Sequence, residues 1–155
     1  MPRLVLDIDG VLANGQYIPE NERTVDKFII LNRLYKEIYF QELSRIYDIY
    51  LITARTFTDA YWWTNKWLGF SSVFMKGLFT GIRASEKASI IMALHPTVVV
   101  DDSPIVMDSL RSEFVHPELI LFDNPFWPEN QAYDRSGVLR VKSWDELYNY
   151  LISRV

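Results

Sequence analysis

Apolar runs alternate with amphipathic segments along the chain, and this alternation predicts strands and helices in turn. The apolar runs predict five strands, at residues 3–8, 48–53, 73–75, 97–101 and 119–122. The first and fourth runs contain the uninterrupted apolar stretches Leu4-Val5-Leu6 and Val98-Val99-Val100, which are typical of strands buried on both faces of a helix-covered parallel sheet. The strand–helix order therefore predicts an α/β fold with a doubly wound, mostly parallel central sheet.

Helical spacing and capping residues predict the segments between these strands. The predicted helices run from Arg23 to about Arg45, from Thr56 or Thr58 to Leu68, from Glu86 to Leu94, onward from Ser103-Pro104, and through the tail after Ser143. The two long irregular stretches are 13–22 and 123–137. Loops of that length inside a compact domain are often functional.

Two of the apolar runs end in paired acids. Asp7 and Asp9 follow the first run, and Asp101 and Asp102 end the fourth. Ligands bind beyond the carboxyl ends of the strands in such sheets, so we expect the four carboxylates to share one pocket if the two strands are neighbours. Two negative charges about 5 Å apart repel by about 3 kcal/mol at an effective dielectric near 20. The cluster needs a cation or a proton to neutralise it, and the sequence therefore predicts a metal site.

Four motifs follow one another in a recognisable order. They are Asp7-Ile8-Asp9-Gly10-Val11-Leu12, Leu51-Ile52-Thr53-Ala54-Arg55, Lys87 at a helix start, and Val98-Val99-Val100-Asp101-Asp102-Ser103. In order and coarse spacing this series resembles the four motifs of the haloacid dehalogenase (HAD) superfamily of phosphatases. The resemblance implies a Rossmann-like three-layer sandwich, formed as a single domain over residues 1–155.

The resemblance also implies a magnesium-dependent phosphomonoesterase that works through an aspartyl-phosphate. Asp7 would be the nucleophile, and Asp9 would protonate the leaving oxygen and then activate water. The implied Mg²⁺ ligands are the Asp7 carboxylate, the Asp9 backbone carbonyl and Asp102, and Asp101 would orient the site from behind them.

The second and third motifs imply contacts to the substrate phosphate. Thr53, with Ala54 and Arg55 of the same motif, would bind the phosphoryl group, and Lys87 would offset its negative charge. Two alternatives stay open at this point. Arg55 either touches phosphate or faces solvent, and Lys76 competes with Lys87 as the cation of the third motif.

The paired Asp101-Asp102 and two distal segments resemble the 5'(3')-deoxyribonucleotidases within this superfamily. The segments are Phe122-Asp123-Asn124-Pro125-Phe126-Trp127-Pro128-Glu129-Asn130 and Arg140-Val141-Lys142-Ser143-Trp144. This implies a nucleotidase acting on (deoxy)nucleoside monophosphates. The chain departs from that branch because little sequence separates Asp9 from Thr53, so a cap within 13–47 is small or absent. A polynucleotide end or a sugar phosphate is the alternative substrate, and a non-catalytic metal- or phosphate-binding domain is the rival class.

The composition of the chain excludes several classes of binding partner and site. The 155 residues carry a formal net charge of −4 and contain no cysteine. This excludes disulfides and thiolate zinc sites, and it gives no basic surface for tight binding to long nucleic acid. No apolar stretch is long enough to span a membrane, and an early charged strand leaves no room for a secretory signal, so we expect a cytoplasmic protein.

Aromatic residues make up 15% of the chain. They are consistent with core packing, with a homodimer surface or with stacking on a nucleobase.

Overall fold

A computed structural model of the chain describes residues 1–15, 19–24, 27, 32–63 and 75–155. Its strands are β1 (Arg3–Leu6), β2 (Asp48–Ile52), β3 (Gly77–Phe79), β4 (Val98–Asp101), β5 (Glu118–Phe122) and β6 (Val138–Val141). Its helices are α1 (Glu37–Ile46), α2 (Phe57–Trp63), α3 (Lys87–Leu94), α4 (Pro104–Arg111), α5 (Pro128–Ala132) and α6 (Trp144–Ser153). Short 3-10 turns occur at Glu20–Glu22 and Ala84–Glu86. Within the described residues, no helix is both long and apolar enough to cross a membrane.

All neighbouring strands pair in parallel, in the order β3-β2-β1-β4-β5-β6. β1 lies in the interior of the sheet, with Leu4 in register with Ile49 on one side and Val98 on the other. The predicted α/β fold with a parallel sheet is therefore confirmed. Because β1 and β4 are adjacent, the acids that follow them emerge at the same edge.

The apolar runs are buried because both faces of the sheet are covered. Successive strand residues point to opposite faces, so Leu4 and Leu6 join the core beneath α1 and α6, while Val5 joins the core beneath α3 and α4. Burying one such side chain contributes about 1.5–3 kcal/mol. The central strands are thereby held firmly, and they give the residues at their carboxyl ends a rigid base.

One predicted helix was wrong in extent. The spacing of apolar residues predicted a helix from Arg23 to about Arg45, but residues 32–36 are not helical and α1 begins at Glu37. Asn14 donates its backbone N–H to the carbonyl of Asn32, and Leu34 donates to the carbonyl of Leu12. Pairing with the loop after β1 replaces the helical hydrogen bonds there. The positions at 25–26 and 28–31 lie outside the described residues.

The third strand lies later than predicted. It is β3 rather than 73–75; Met75 precedes it, and residues 73–74 lie outside the described residues. A β-carbon at Gly77 would come within 2.9 Å of the Tyr50 ring. The glycine therefore lets the edge strand approach β2.

Hydrophobic periodicity predicted neither of two further elements, although the resemblance of Arg140-Val141-Lys142-Ser143-Trp144 to a strand-to-helix junction implied a strand at the second. α5 lies within the stretch 123–137 that was predicted to be irregular, and β6 follows it as the sixth strand. α5 spans only five residues, which is too short to show a helical period. β6 is an edge strand with one buried residue, Val141, so its sequence lacks the continuous apolar run of the central strands.

Trp144, the first residue of α6, fixes the loop that follows β1. Its indole N–H donates to the carbonyl of Val11 at 2.8 Å, and the side chain is buried. Replacing Trp144 with Phe is expected to reduce the free energy of unfolding by about 1–3 kcal/mol, because the buried carbonyl loses its donor. Urea denaturation measures this loss. Tyr148→Phe, which removes a partly buried hydroxyl from the same helix, is the control, and an equal loss there would contradict a special role for Trp144.

Candidate active site

Lys87 joins the acid that follows β1 to the acid that ends β4. Its ammonium Nζ lies 3.1 Å from Asp7 Oδ1 and 2.8 Å from Asp101 Oδ2. The three side chains are between 3% and 11% exposed. Backbone N–H groups hold both carboxylates as well, since Ile8 donates to Asp7 Oδ1 and Ser103 donates to Asp101 Oδ1. The Lys87 ammonium and the two carboxylates form a buried cluster of three charges. Backbone N–H groups satisfy part of the hydrogen-bonding capacity that the carboxylates have left.

Asp102 adds a third carboxylate to the group. Asp7, Asp101 and Asp102 each offer an oxygen atom, and these atoms all lie within 4.8 Å of one another. The grouping follows from the topology, because Asp7 continues β1 while Asp101 and Asp102 continue the adjacent β4. The backbone N–H of Asp7 extends this pairing by donating to the carbonyl of Val100.

The electrostatics of this cluster favour a bound proton or cation. Burial is the largest cause raising the pKa of Asp7 well above its usual range, and the charge of Asp101 raises it further. Burial, again followed by Asp101, raises the pKa of Asp102 to about 7. Burial lowers the pKa of Lys87, but the charges of Asp101 and Asp7 outweigh it and leave that pKa above its ordinary value. Lys87 is thus charged at neutral pH, whereas burial opposes the ionisation of Asp7 and Asp102.

Replacing Asp102 with Asn is expected to stabilise the metal-free protein at neutral pH. An unfolded Asp titrates near pH 4, whereas the folded one titrates near pH 7. Between these values the folded chain binds the extra proton, so the Asp102 contribution to unfolding free energy falls as pH rises from about 4 to about 7. At about 1.4 kcal/mol for each pKa unit, the gain in the variant reaches at most about 4 kcal/mol.

Thermal unfolding of both proteins from pH 5 to pH 8, with and without Mg²⁺, measures this effect. The difference in Tm between variant and wild type is expected to widen with pH, and the variant is expected to lose most of the stabilisation by Mg²⁺. A difference in Tm that stays constant with pH would contradict the raised pKa of Asp102.

Arg55 holds Asp9 in a two-point ion pair. Its Nη2 lies 2.7 Å from Asp9 Oδ1, and its Nε lies 3.0 Å from Asp9 Oδ2. The third nitrogen, Nη1, donates to Asp59 Oδ2 at 2.9 Å. The Asp9 side chain is 44% exposed and that of Arg55 is 19% exposed. Asp9 is therefore partly exposed and turned toward Arg55, and of the four predicted acids the structure groups Asp7, Asp101 and Asp102.

The remaining residues of the second motif lie at the same edge of the sheet. Thr53 is buried directly after β2, and its hydroxyl oxygen accepts a hydrogen bond from the backbone N–H of Arg55. Ala54 between them is exposed. The motif thus forms a tight turn that leads from β2 into α2.

Gly10 permits the close approach of the first and fourth motifs. It has a φ of +90°, and a β-carbon there would lie 1.9 Å from Asp102 Oδ2. Any side chain at this position would be strained in its backbone and would collide with the Asp102 carboxylate. The glycine of the first motif therefore belongs to the geometry of the acid cluster.

Lys87 and Lys76, the two candidates for the cation of the third motif, lie at opposite ends of the sheet. Lys87 contacts Asp7 and Asp101, as described above. Lys76 is exposed just before β3, where its backbone N–H donates to the carbonyl of Ile49 near the start of β2. Only Lys87 of this pair meets the acid cluster.

Three polar residues near the cluster were not predicted. Asp59 orients Arg55. Asn124 donates its amide to Asp102 Oδ2 at 2.9 Å, and Asn130 donates to the Asp102 carbonyl at 2.7 Å. Asp59 stands four residues after Arg55, a spacing that favours ion pairs on helices and could have indicated this contact. The two asparagines belong to an irregular stretch whose sequence carries no such periodic signal.

The sequence matched no protein-family model and no curated protein, whereas solved structures share its fold. The D,D-heptose 1,7-bisphosphate phosphatase from B. bronchiseptica, complexed with magnesium and phosphate, aligns over 100% of both chains with a TM-score of 0.69 and 12% identity. The 3-deoxy-D-manno-octulosonate 8-phosphate phosphatase from Moraxella catarrhalis aligns over 99% of this chain and 86% of its own, with a TM-score of 0.62 and 13% identity. A haloacid dehalogenase-like hydrolase from Streptococcus pneumoniae aligns over 97% and 98%, with a TM-score of 0.60 and 13% identity.

These likenesses establish the architecture of the chain. At 12–13% identity they show a fold shared with phosphatases and hydrolases of the HAD type. A fold alone does not define an activity, which has to be argued from the site.

Proposed function

We propose that this chain is a magnesium-dependent phosphomonoesterase of the HAD type. The observation that carries the proposal is the buried group of Asp7, Asp101 and Asp102, in which Lys87 bridges Asp7 and Asp101. It stands at the carboxyl edge of a parallel sheet, where α/β proteins bind their ligands. The magnesium and phosphate held by a structural neighbour support the same chemistry.

The donor set fits Mg²⁺. All three side chains offer oxygen, the ligand type that Mg²⁺ prefers. With every group ionised, three carboxylates and one ammonium carry a formal charge of −2, which one divalent cation neutralises. In the proposed site Asp7, Asp102 and the backbone carbonyl of Asp9 hold the ion, which would offset the charge on the phosphoryl oxygens.

The reaction we propose has two steps. An oxygen of Asp7 attacks phosphorus and the ester P–O bond breaks, while Asp9, released from Arg55 and protonated from solvent when the substrate binds, gives that proton to the leaving oxygen. Asp9, now a carboxylate, takes a proton from water as that water attacks the aspartyl-phosphate and releases phosphate from Asp7. Lys87 and the Thr53 hydroxyl would bind phosphoryl oxygens and stabilise their charge. Arg55 would hold Asp9 until a substrate arrives.

We propose a single domain over residues 1–155 with a reduced cap. Of the segment 13–47 considered for a cap, α1 contributes Phe40 and Leu43 to the core and so belongs to the main body. A cap is therefore limited to the residues before α1. A cap of that size would let the proposed site admit substrates of varied size.

Two substrate classes fit such a site. Nucleoside monophosphates are supported by the resemblance of the loop after β5 to deoxyribonucleotidases and by Phe126, whose ring is 89% exposed in that loop. Sugar phosphates are supported by the heptose bisphosphate and octulosonate phosphatases among the structural neighbours. We place nucleoside monophosphates first and sugar phosphates second. The homodimer stays a prediction.

Phosphate release from p-nitrophenyl phosphate, with and without Mg²⁺, tests the activity. A panel of ribo- and deoxyribonucleoside monophosphates and sugar phosphates then ranks substrates by kcat/KM. We expect Mg²⁺-dependent turnover, with the highest kcat/KM on nucleoside monophosphates. Folded protein that turns over none of these esters would support the rival class, a non-catalytic metal- or phosphate-binding domain. A preference for sugar phosphates would keep the activity and overturn the substrate assignment.

A further inference from the structure

The loop after β5 reaches back to the acid cluster through two asparagine side chains. Asn124 donates its amide to Asp102 Oδ2 at 2.9 Å. Asn130, which is fully buried, donates to the carbonyl of Asp102 at 2.7 Å and to that of Phe122 at 3.0 Å. One asparagine therefore contacts the carboxylate of Asp102, and the other contacts its backbone.

Asn124 is itself held on several sides. Its backbone N–H donates to Asn130 Oδ1 at 2.9 Å, and its carbonyl accepts from the Trp127 N–H and from Gln131 Nε2. Its side-chain oxygen accepts from the backbone N–H of Phe126, at 3.1 Å. With that oxygen engaged, the amide nitrogen of Asn124 is directed at Asp102. The Asn124 side chain therefore approaches Asp102 in a fixed orientation.

Arg140 of β6 anchors the far side of this loop. It donates to the backbone carbonyls of Asn130 and Tyr133, each at 2.7 Å, and it pairs with Asp123 at 2.7 Å. The loop is therefore attached to the sheet at the edge next to β5. The loop after β5 is thereby held in place, and it carries the Asn124 amide that donates to Asp102.

On its other side, the carboxylate of Asp102 faces the backbone of Gly10, where even one added carbon would collide with Oδ2. The Gly10 backbone and the Asn124 amide together restrict the rotation of this side chain. A carboxylate fixed in this way is preorganised to coordinate an ion with its remaining oxygen, and it loses less rotational freedom on binding.

We propose that Asn124 is a positioning residue that presents Asp102 to the cation, with Asn130 fixing both partners. This inference rests on the proposed function, because it assigns Asp102 as a ligand of Mg²⁺. Hydrogen-bonding partners of metal ligands characteristically change metal affinity by 10–100-fold when they are lost. Asn124 acts through Asp102 and does not itself touch the reacting atoms.

Isothermal titration of the metal-free protein, residues 1–155, with magnesium chloride tests the proposal. Asn124→Leu keeps the size of the side chain and removes its amide, so we expect the Kd for Mg²⁺ to rise about 10–100-fold. Asn124→Ser, which retains a small polar side chain, is the second variant in case the leucine prevents folding. The Tm without Mg²⁺ is expected to change much less than the Kd, and saturating Mg²⁺ is expected to restore most of kcat.

Glu129→Gln is the matched control, because Glu129 is an exposed residue of the same loop and, within the described residues, its side chain contacts none of Asp102, Asn124 and Asn130. Its Kd for Mg²⁺ is expected to equal that of the wild type. An unchanged Kd in the Asn124 variants, or an equal rise in Glu129→Gln, would overturn the positioning role. A wild-type protein that binds no Mg²⁺ would instead overturn the proposed function, so the two failures are distinguishable.

Discussion

Replacing Asp7 with Asn is expected to abolish phosphatase activity while leaving the protein folded. The amide has the shape of the carboxylate but cannot form the aspartyl-phosphate, so kcat should fall by roughly 10⁴-fold or more, as in other enzymes that lose their nucleophile. Folding is expected to survive, because the Asn side-chain oxygen can still accept the hydrogen bonds that Ile8 and Lys87 direct at Asp7 Oδ1. The burst of p-nitrophenol and the steady-state release of phosphate from p-nitrophenyl phosphate measure the loss.

A folding measurement and a control variant establish that the loss of activity in Asp7→Asn comes from the missing nucleophile. Circular dichroism and Tm establish that the variant is folded, and removal of a buried negative charge is expected to raise rather than lower Tm. Asp59→Asn is the control, because Asp59 contacts Arg55 at the rim and has no role in forming the covalent intermediate. Retained turnover in folded Asp7→Asn would remove Asp7 as the nucleophile and would require another residue to carry the reaction.

Replacing Lys87 with Met is expected to cost about 3–5 kcal/mol of stability, because it leaves buried carboxylates without their counter-charge. The ammonium is the cation that contacts both Asp7 and Asp101, and its side chain is 5% exposed. Saturating Mg²⁺ is expected to restore part of the loss, since a divalent cation partly neutralises the same acids. Chemical denaturation with and without Mg²⁺ measures both effects.

Lys76→Met is the matched control, because Lys76 is exposed at the opposite end of the sheet. Its effect is expected to stay within about 0.5 kcal/mol. Adding Asp101→Asn to Lys87→Met should recover part of the lost stability by removing one of the unpaired charges. Equal losses for the two lysine variants would show that Lys87 does not neutralise a buried cluster.

The grouping of the acids could be predicted because it depends on few assumptions. Two uninterrupted apolar stretches predict two buried strands, and in a parallel sheet the residues after such strands emerge at one edge. The strand order, which places β1 directly beside β4, is the step that the structure supplied. Once these strands are neighbours, Asp7 and Asp102 must lie close together.

The supporting contacts could not be predicted from the same pattern. The direction of the Arg55 side chain depends on the folded path of the loop that holds Asp9, far away in the sequence. Residues 32–36 have the apolar spacing of a helix, but their backbone pairs with the loop after β1. Local periodicity reports which face of an element is buried, and it does not report which distant backbone group competes for its hydrogen bonds.

The hydrogen bond between Trp144 and Val11 has a consequence for the order of folding, since it joins residues 133 positions apart. β1 likewise needs β4 as a partner, through the pairing of Leu4 with Val98. A nascent chain therefore carries Asp7 and Asp9 long before the segments that enclose them have been translated. Contacts of such long range slow folding, so the pocket forms late, after the ribosome has synthesised α6.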